Sequence, residues 1–252
     1  MEKIKLPNGL ECYSLSKRET EFIYSEVFSE QQYIQNNITL FEGDCIFDVG
    51  ANIGLFALFM TQMKKSLKIF AFEPVEPIFK VLNDNLCLHD LSNVLPFNFG
   101  LGAKNKAERV FTFYPNMPGN STERPKEKIA QRQVMIDAIG EEQTNYFFQS
   151  DRVLGEVRTL SRVIQDLSID SIDLLKIDVE GEELSVIQGI DSDDWSKVKQ
   201  IVAEVHDIDN RLEQFRDLLQ NYGFKVRIEK NTLLPTLSNN FNVYAMRQTQ
   251  SE

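Results

Sequence analysis

Hydrophobic and polar positions along this chain follow two alternating periods. A continuous apolar run with an acid near its end stands at Cys45-Ile46-Phe47-Asp48-Val49, and further strands are expected at Leu67-Lys68-Ile69-Phe70-Ala71-Phe72, residues 94–100 and Ile172-Asp173-Leu174-Leu175-Lys176-Ile177-Asp178. Runs of this kind are typical of strands buried on both faces of a parallel sheet. Helical spacing separates them. The segment from Leu55 to about Lys64 is one such stretch, and residues 77–88 are another, with Ile78, Val81, Leu82, Asn85 and Leu86 on one face. The rhythm returns near the C-terminus: a strand over 198–205, a helix over 212–222 stopped by Gly223 in the left-handed region, and a closing hairpin from 224–228 and 241–246. Strand alternating with helix predicts an α/β protein with a doubly wound sheet.

The ends and the middle depart from that rhythm. Leu6-Pro7-Asn8-Gly9 reads as a turn between two short strands. Residues 20–35 turn helical through Phe22, Ile23, Val27, Tyr33 and Ile34, with Thr20 as the candidate cap, so residues 1–40 form an N-terminal extension. A strand over 108–114 precedes a lid-like insertion, residues 115–155, opened by Pro115, Pro118, Gly119 and Pro125. Its Arg124, Lys126, Lys128 and Arg132 read as a solvated helix face or as a contact for an acidic partner. Thr159 or Ser161 caps a helix ending near Leu167. All 252 residues are assigned to one domain.

Charge narrows the choice of partners. A net charge of −11 opposes phosphate backbones and anionic lipid, so neither nucleic acid nor membrane is expected as a partner. No run reaches the roughly 18–20 apolar residues of a spanning helix. The N-terminus has no apolar signal core, and Cys12, Cys45 and Cys87 are too scattered for a zinc site. A cytoplasmic location follows as the expectation, with Cys45 and Cys87 as buried thiols.

Two motifs carry chemistry. In Asp48-Val49-Gly50-Ala51-Asn52-Ile53-Gly54 the glycines follow a strand and open a helix, at the sheet edge where α/β proteins bind ligands. The spacing is not that of the dinucleotide fingerprint, and the Asp48 carboxylate favours a cationic or hydroxyl-bearing ligand. Glu73, at the end of the second strand, either accepts hydrogen bonds from a ribose diol or serves as the acid at the start of a helix opened by Pro74 and Pro77.

Together with Lys176-Ile177-Asp178-Val179-Glu180-Gly181, these motifs resemble the FkbM family of S-adenosylmethionine-dependent methyltransferases over roughly residues 20–230. Residues 20–28 and 114–122 resemble the branch associated with polyketide and nonribosomal peptide assembly lines. The resemblance implies a class I, Rossmann-like fold with a mostly parallel seven-stranded sheet. It implies a cofactor pocket lined by Asp48, Gly50, Ala51, Asn52, Gly54, Glu73, Pro74 and Asp178, with S-adenosylhomocysteine as product. It also implies O-methylation of a polyketide or peptide intermediate, with an acyl carrier protein as candidate partner. A sugar or free metabolite as substrate, and a non-catalytic docking module, are the alternatives.

Methylating an alcohol requires removing its proton. Asp178 and Glu180 end one strand; Glu204 and His206 end the next. His206 is the candidate general base, with Asp178 and Glu204 beside it; alternatively Asp178, Glu204 and His206 hold Mg2+. Glu180 either contacts substrate or simply starts the following helix. Tyr114, Asn116, Asn120 and Ser121 are candidate substrate contacts from the insertion, although a turn explains residues 116–119 equally well. His89, at a helix end, reads as structural.

Overall fold

The computed structural model describes residues 1–64, 66–231 and 239–247. A hairpin of β1 (Glu2–Lys5) and β2 (Glu11–Ser14) leads into α1 (Lys17–Tyr24). The chain then winds a π-turn (Ser25–Ser29) and a 3-10 turn (Gln32–Ile34) before the central sheet. The expected single helix over 20–35 is therefore three short pieces. Thr20 does not cap it; it is buried inside α1 with its hydroxyl 2.8 Å from that of Ser14.

The sheet begins with β3 (Cys45–Val49), α2 (Leu55–Met63), β4 (Lys68–Phe72), α3 (Glu76–Leu88) and β5 (Val94–Phe97). The five α3 residues expected on one face are its buried ones. Cys87 points off that face and is exposed, and Cys45 is only half-buried; the thiol that is fully buried is Cys12. His89 contacts the Glu11 carbonyl at 2.7 Å.

After β5 the chain leaves the sheet. The strand expected over 94–100 stops at Phe97, and the Asn98 side-chain amide then donates to the Glu73 carbonyl. Gly100–Leu101 (β6), Lys106–Phe113 (β7) and Asp151–Arg158 (β8) build a separate three-stranded sheet in the order β6-β8-β7. β8 begins at Asp151, within the expected insertion of residues 115–155, and the stretch between β7 and β8 is the connection of a β-hairpin. It carries α4 (Ile129–Ile139) and α5 (Glu141–Phe147).

The chain re-enters the main sheet through α6 (Leu160–Asp166), capped by the Thr159 hydroxyl, which accepts from the Arg162 amide. β9 (Leu174–Ile177), α7 (Glu183–Gln188), β10 (Gln200–His206), α8 (Arg211–Asn221), β11 (Phe224–Lys230) and β12 (Asn240–Arg247) complete the order β11-β12-β10-β9-β3-β4-β5. β3, β4, β5, β9 and β10 run parallel, and β12 pairs antiparallel with both β10 and β11. Gly223 adopts φ +82° after α8, as the helix stop requires.

Alternation along the strands sorts the core. Phe47, Phe70, Phe72, Leu175 and Ile177 face one layer with Leu160, Trp195 and Phe215. Ile46, Ile69 and Leu174 face the other, under Phe56 and Met60. β3 lies between β4, which follows it, and β9, which the chain reaches much later. The direction of winding reverses there, which opens a crevice at the C-terminal ends of β3 and β9.

Candidate active site

The crevice is a cavity of about 550 Å3, within the usual size for small-molecule sites. Its floor is set by the β3–β9 register, which places Asp48 opposite Lys176. The Lys176 ammonium pairs with Asp48 at 3.0 Å, donates to the Gly50 carbonyl at 2.8 Å and lies 3.8 Å from Asp178. Burial works against this charge, but Asp48 and Asp178 outweigh burial and hold the lysine pKa above its ordinary value.

The glycine loop follows from this floor. Gly50 adopts φ +79°, and a Cβ there would fall 1.7 Å from the Asp178 carbonyl oxygen. Only glycine lets the β3 and β9 loops close together. The Gly50 and Ala51 amides both donate to the Phe72 carbonyl, and Asn52 takes φ +49°. Gly50, Ala51, Asn52, Glu73, Pro74 and Asp178 line the cavity. Asp48 and Gly54 do not. Asp48 is fully buried beneath the loop against Lys176, and Gly54 starts α2 at φ +90° where a Cβ would meet the Leu82 side chain. Both support the pocket from behind.

Glu73 reaches the cavity from the end of β4. Its two oxygens accept from the Asn52 amide (3.1 Å) and the Val75 amide (3.0 Å). Burial raises its pKa to about 7 despite those donors. The helix-start and ligand readings of Glu73 are therefore compatible: each carboxylate oxygen retains a lone pair after accepting its backbone amide.

The tips of β9 and β10 hold the second group of acids. Asp178 accepts from the Tyr33 hydroxyl at 2.9 Å, and burial raises its pKa. Glu204 accepts from the Asn240 and Asn231 side-chain amides at 2.7 and 3.2 Å, and burial, then Asp178, raises its pKa to about 7. Glu180 takes φ +55° and pairs with Lys128 and His206; burial opposes its charge, but these two cations bring its pKa to about 2.

His206 does not match the general-base expectation. Its Nδ1 lies 2.9 Å from Glu183 and its Nε2 3.2 Å from Glu180. Burial disfavours the imidazolium, yet the two carboxylates raise its pKa well above the ordinary histidine value. An imidazolium held on both nitrogens has no lone pair for a substrate proton. The Mg2+ alternative also fails on geometry: Asp178, Glu204 and His206 are engaged by Tyr33, two asparagines and two glutamates. Among the described residues no three His, Cys, Asp or Glu side chains are placed to hold a metal ion.

The insertion contributes differently from its sequence pattern. Asn116, Asn120 and Ser121 line the cavity, but Tyr114 is buried outside it, edge-on to Phe148 at 5.6 Å. Arg124 pairs with Glu182 and Glu127, and Lys128 is buried against Glu180. Two of the four cations offered as an acidic partner's contact thus bolt the insertion to the β9 loop. The Thr122 hydroxyl, donating to the Glu180 carbonyl, adds to that attachment.

Sequence reasoning missed Lys176 as the hub, Tyr33, Lys128, Glu183 and Glu26. For Lys176 a signal existed: a lysine inside an otherwise apolar buried strand demands a partner. The others depend on distant elements meeting and carry no local signature.

A mostly parallel seven-stranded sheet, a glycine loop at its winding switch and an acid at the end of the next strand define a class I methyltransferase fold. The family profile described as Methyltransferase FkbM domain matches residues 48–226. Methyltransferase sdnD of Sordaria araneosa is 36% identical over 236 residues, covering 90% of each chain. The 31-O-demethyl-FK506 methyltransferase FkbM of Streptomyces tacrolimicus is 33% identical, over 92% of each. AMB antimetabolite synthetase AmbE of Pseudomonas aeruginosa is 33% identical over 99% of this chain, which spans only 13% of that protein. A crystal structure of methyltransferase FkbM from Methylobacillus flagellatus KT superposes with TM-score 0.56 at 15% identity, covering 84% of this chain and 46% of that one. The chain belongs to the FkbM methyltransferase family.

Proposed function

We propose that the protein transfers a methyl group from S-adenosylmethionine to a hydroxyl oxygen of a polyketide or nonribosomal peptide intermediate. One observation carries the reading: a single cavity holds Glu73 at one part of its wall and Asp178 with Glu204 at the β9 and β10 tips. The bound cofactor would supply an electrophilic methyl on a cationic sulfur, and an acid-lined cavity suits that charge. Glu73 would accept a ribose diol, and Gly50, lacking a Cβ, lets the β9 loop close against the glycine loop beneath the cavity.

Glu204 takes the role first expected of His206. Its carboxyl is held by two asparagine amides, and its pKa of about 7 lets it accept a proton near neutral pH. His206, fixed between Glu180 and Glu183, positions the β9 loop. Positioning of the hydroxyl supplies the remaining acceleration.

A carrier-tethered acyl group is the preferred form of the substrate, supported by the likeness to one segment of the AmbE synthetase. The burial of Lys128 against Glu180 favours the second reading, a free small molecule, because it removes one basic contact from the surface, and Arg124 is already paired with Glu182. Mass spectrometry of a 3-hydroxyacyl carrier protein incubated with the protein and S-adenosylmethionine separates them. Gain of one methyl mass supports the tethered form. No gain, with transfer to the corresponding free hydroxy acid, supports the second.

A further inference from the structure

Glu26 stands apart from the other cavity acids. It is the second residue of the π-turn Ser25–Ser29, a distortion common at functional sites. Only 7% of it is exposed, and it lines the cavity. Glu73 accepts two backbone amides, Glu204 two side-chain amides and Glu19 the Gly119 amide. Among the described residues, no hydrogen bond or ion pair reaches the Glu26 carboxyl. Nor is a protein cation available to it. Lys176 is held by Asp48, Lys128 by Glu180, and the Arg18 guanidinium lies over the Phe147 ring. A carboxyl buried in a cavity wall without a partner calls for one from outside the chain.

We propose that Glu26 is the ammonium-binding residue of this cavity, receiving a protonated primary amine carried by the cofactor's amino-acid part or by the methyl acceptor. The inference rests on the function proposed above. A hydroxyl ligand alone would leave the acid-rich surroundings uncompensated. Glu204, Asp178 and Glu180 line the same cavity and act on Glu26 with their negative charge, with Lys176 as the opposing charge and the Tyr33 hydroxyl turned to Asp178. Burial first, then these three acids, raise the Glu26 pKa to about 9, so the free protein carries it protonated at pH 7.5. An arriving ammonium ionises it, and one proton leaves to solvent.

The test is calorimetric titration of wild type and Glu26→Gln at pH 7.5, in two buffers of different ionisation heat. The ligands are S-adenosylhomocysteine, which has the amine, and 5′-methylthioadenosine, which lacks it. If the cofactor is the source, Glu26→Gln weakens adenosylhomocysteine about tenfold or more, abolishes the proton release and leaves methylthioadenosine unchanged. If the acceptor is the source, adenosylhomocysteine binds both proteins alike. Adenosylhomocysteine-saturated wild type then shows amide chemical-shift changes with 2-aminoethanol but not with ethylene glycol, and Glu26→Gln loses them. Thermal melting confirms that the variant is folded. A variant matching wild type in both arms overturns the inference alone. A wild type that binds neither adenosyl ligand overturns the proposed function and this inference with it.

Discussion

Glu204 and His206 end the same strand, yet their surroundings give them opposite protonation. Burial, then the Asp178 charge, raises the Glu204 pKa to about 7, whereas two carboxylates keep His206 protonated through neutral pH. The methyl-transfer rate should therefore rise with pH through about 7, as Glu204 loses its proton. Glu204→Gln should lower kcat by roughly 10²–10⁴ and abolish that limb. His206→Gln should lower the rate while keeping the limb, because its effect passes through Glu180. A pH–rate profile in which His206→Gln removes the limb would restore histidine as the base. Pairings across elements decide these roles. The sequence placed both residues at the strand ends but could not show Glu183 reaching His206 from α7.

At the scale of elements, the β3–β9 contact is the tightest constraint. Alanine at Gly50 would combine φ +79° with a Cβ 1.7 Å from a backbone oxygen. Gly50→Ala should cost about 3 kcal/mol or more in urea denaturation. A cost below about 1 kcal/mol would show that the two loops are not so closely apposed. The insertion divides in two. Residues 122–128 are bolted down by Thr122, Arg124 and Lys128, whereas α4 has no buried residue. Hydrogen exchange should accordingly be faster in α4 than in α2, where Leu55 through Met60 are buried. Equal protection would place α4 within the cooperative core.

The strands β3, β4, β9 and β10 were legible because their apolar runs are buried on both faces. So was α3, whose 3.6-residue spacing matches its buried face. β8 was not: Asp151, Arg152, Glu156 and Arg158 mask its alternation, and Leu154 is exposed. The glycine loop and Glu73 were legible because neighbours in sequence build them. Tyr33, Lys128 and Glu26 reach the cavity from the N-terminal extension and the insertion, and only the folded chain brings them there.

For the whole molecule, the crowded acids make stability depend on pH. Glu19, Glu26, Glu73 and Glu204 are raised from 4.5 to about 8, 9, 7 and 7. The folded chain thus keeps protons that the unfolded chain releases, and stability falls as pH rises from about 4.5 to about 9. His206, raised above 6.5, acts in the same direction, its contribution being lost as pH rises through its folded pKa. Glu180 acts oppositely: its stabilisation is present above 4.5 and lost as pH falls toward about 2. The ligand-free protein should show a higher urea midpoint at pH 6 than at pH 9, and Glu26→Gln should shrink the difference. An unchanged difference in that variant would mean that Glu26 is not buried as described. Among the described residues, no helix is long and apolar enough to cross a membrane.

If the cavity is an adenosyl-cofactor site, Glu73 anchors the ligand in it. The decisive measurement is calorimetric titration of S-adenosylhomocysteine into wild type and Glu73→Gln. One saturable site is expected in wild type, with binding at least about tenfold weaker in the variant. Equal affinity in the two proteins, or no binding to wild type, would contradict it.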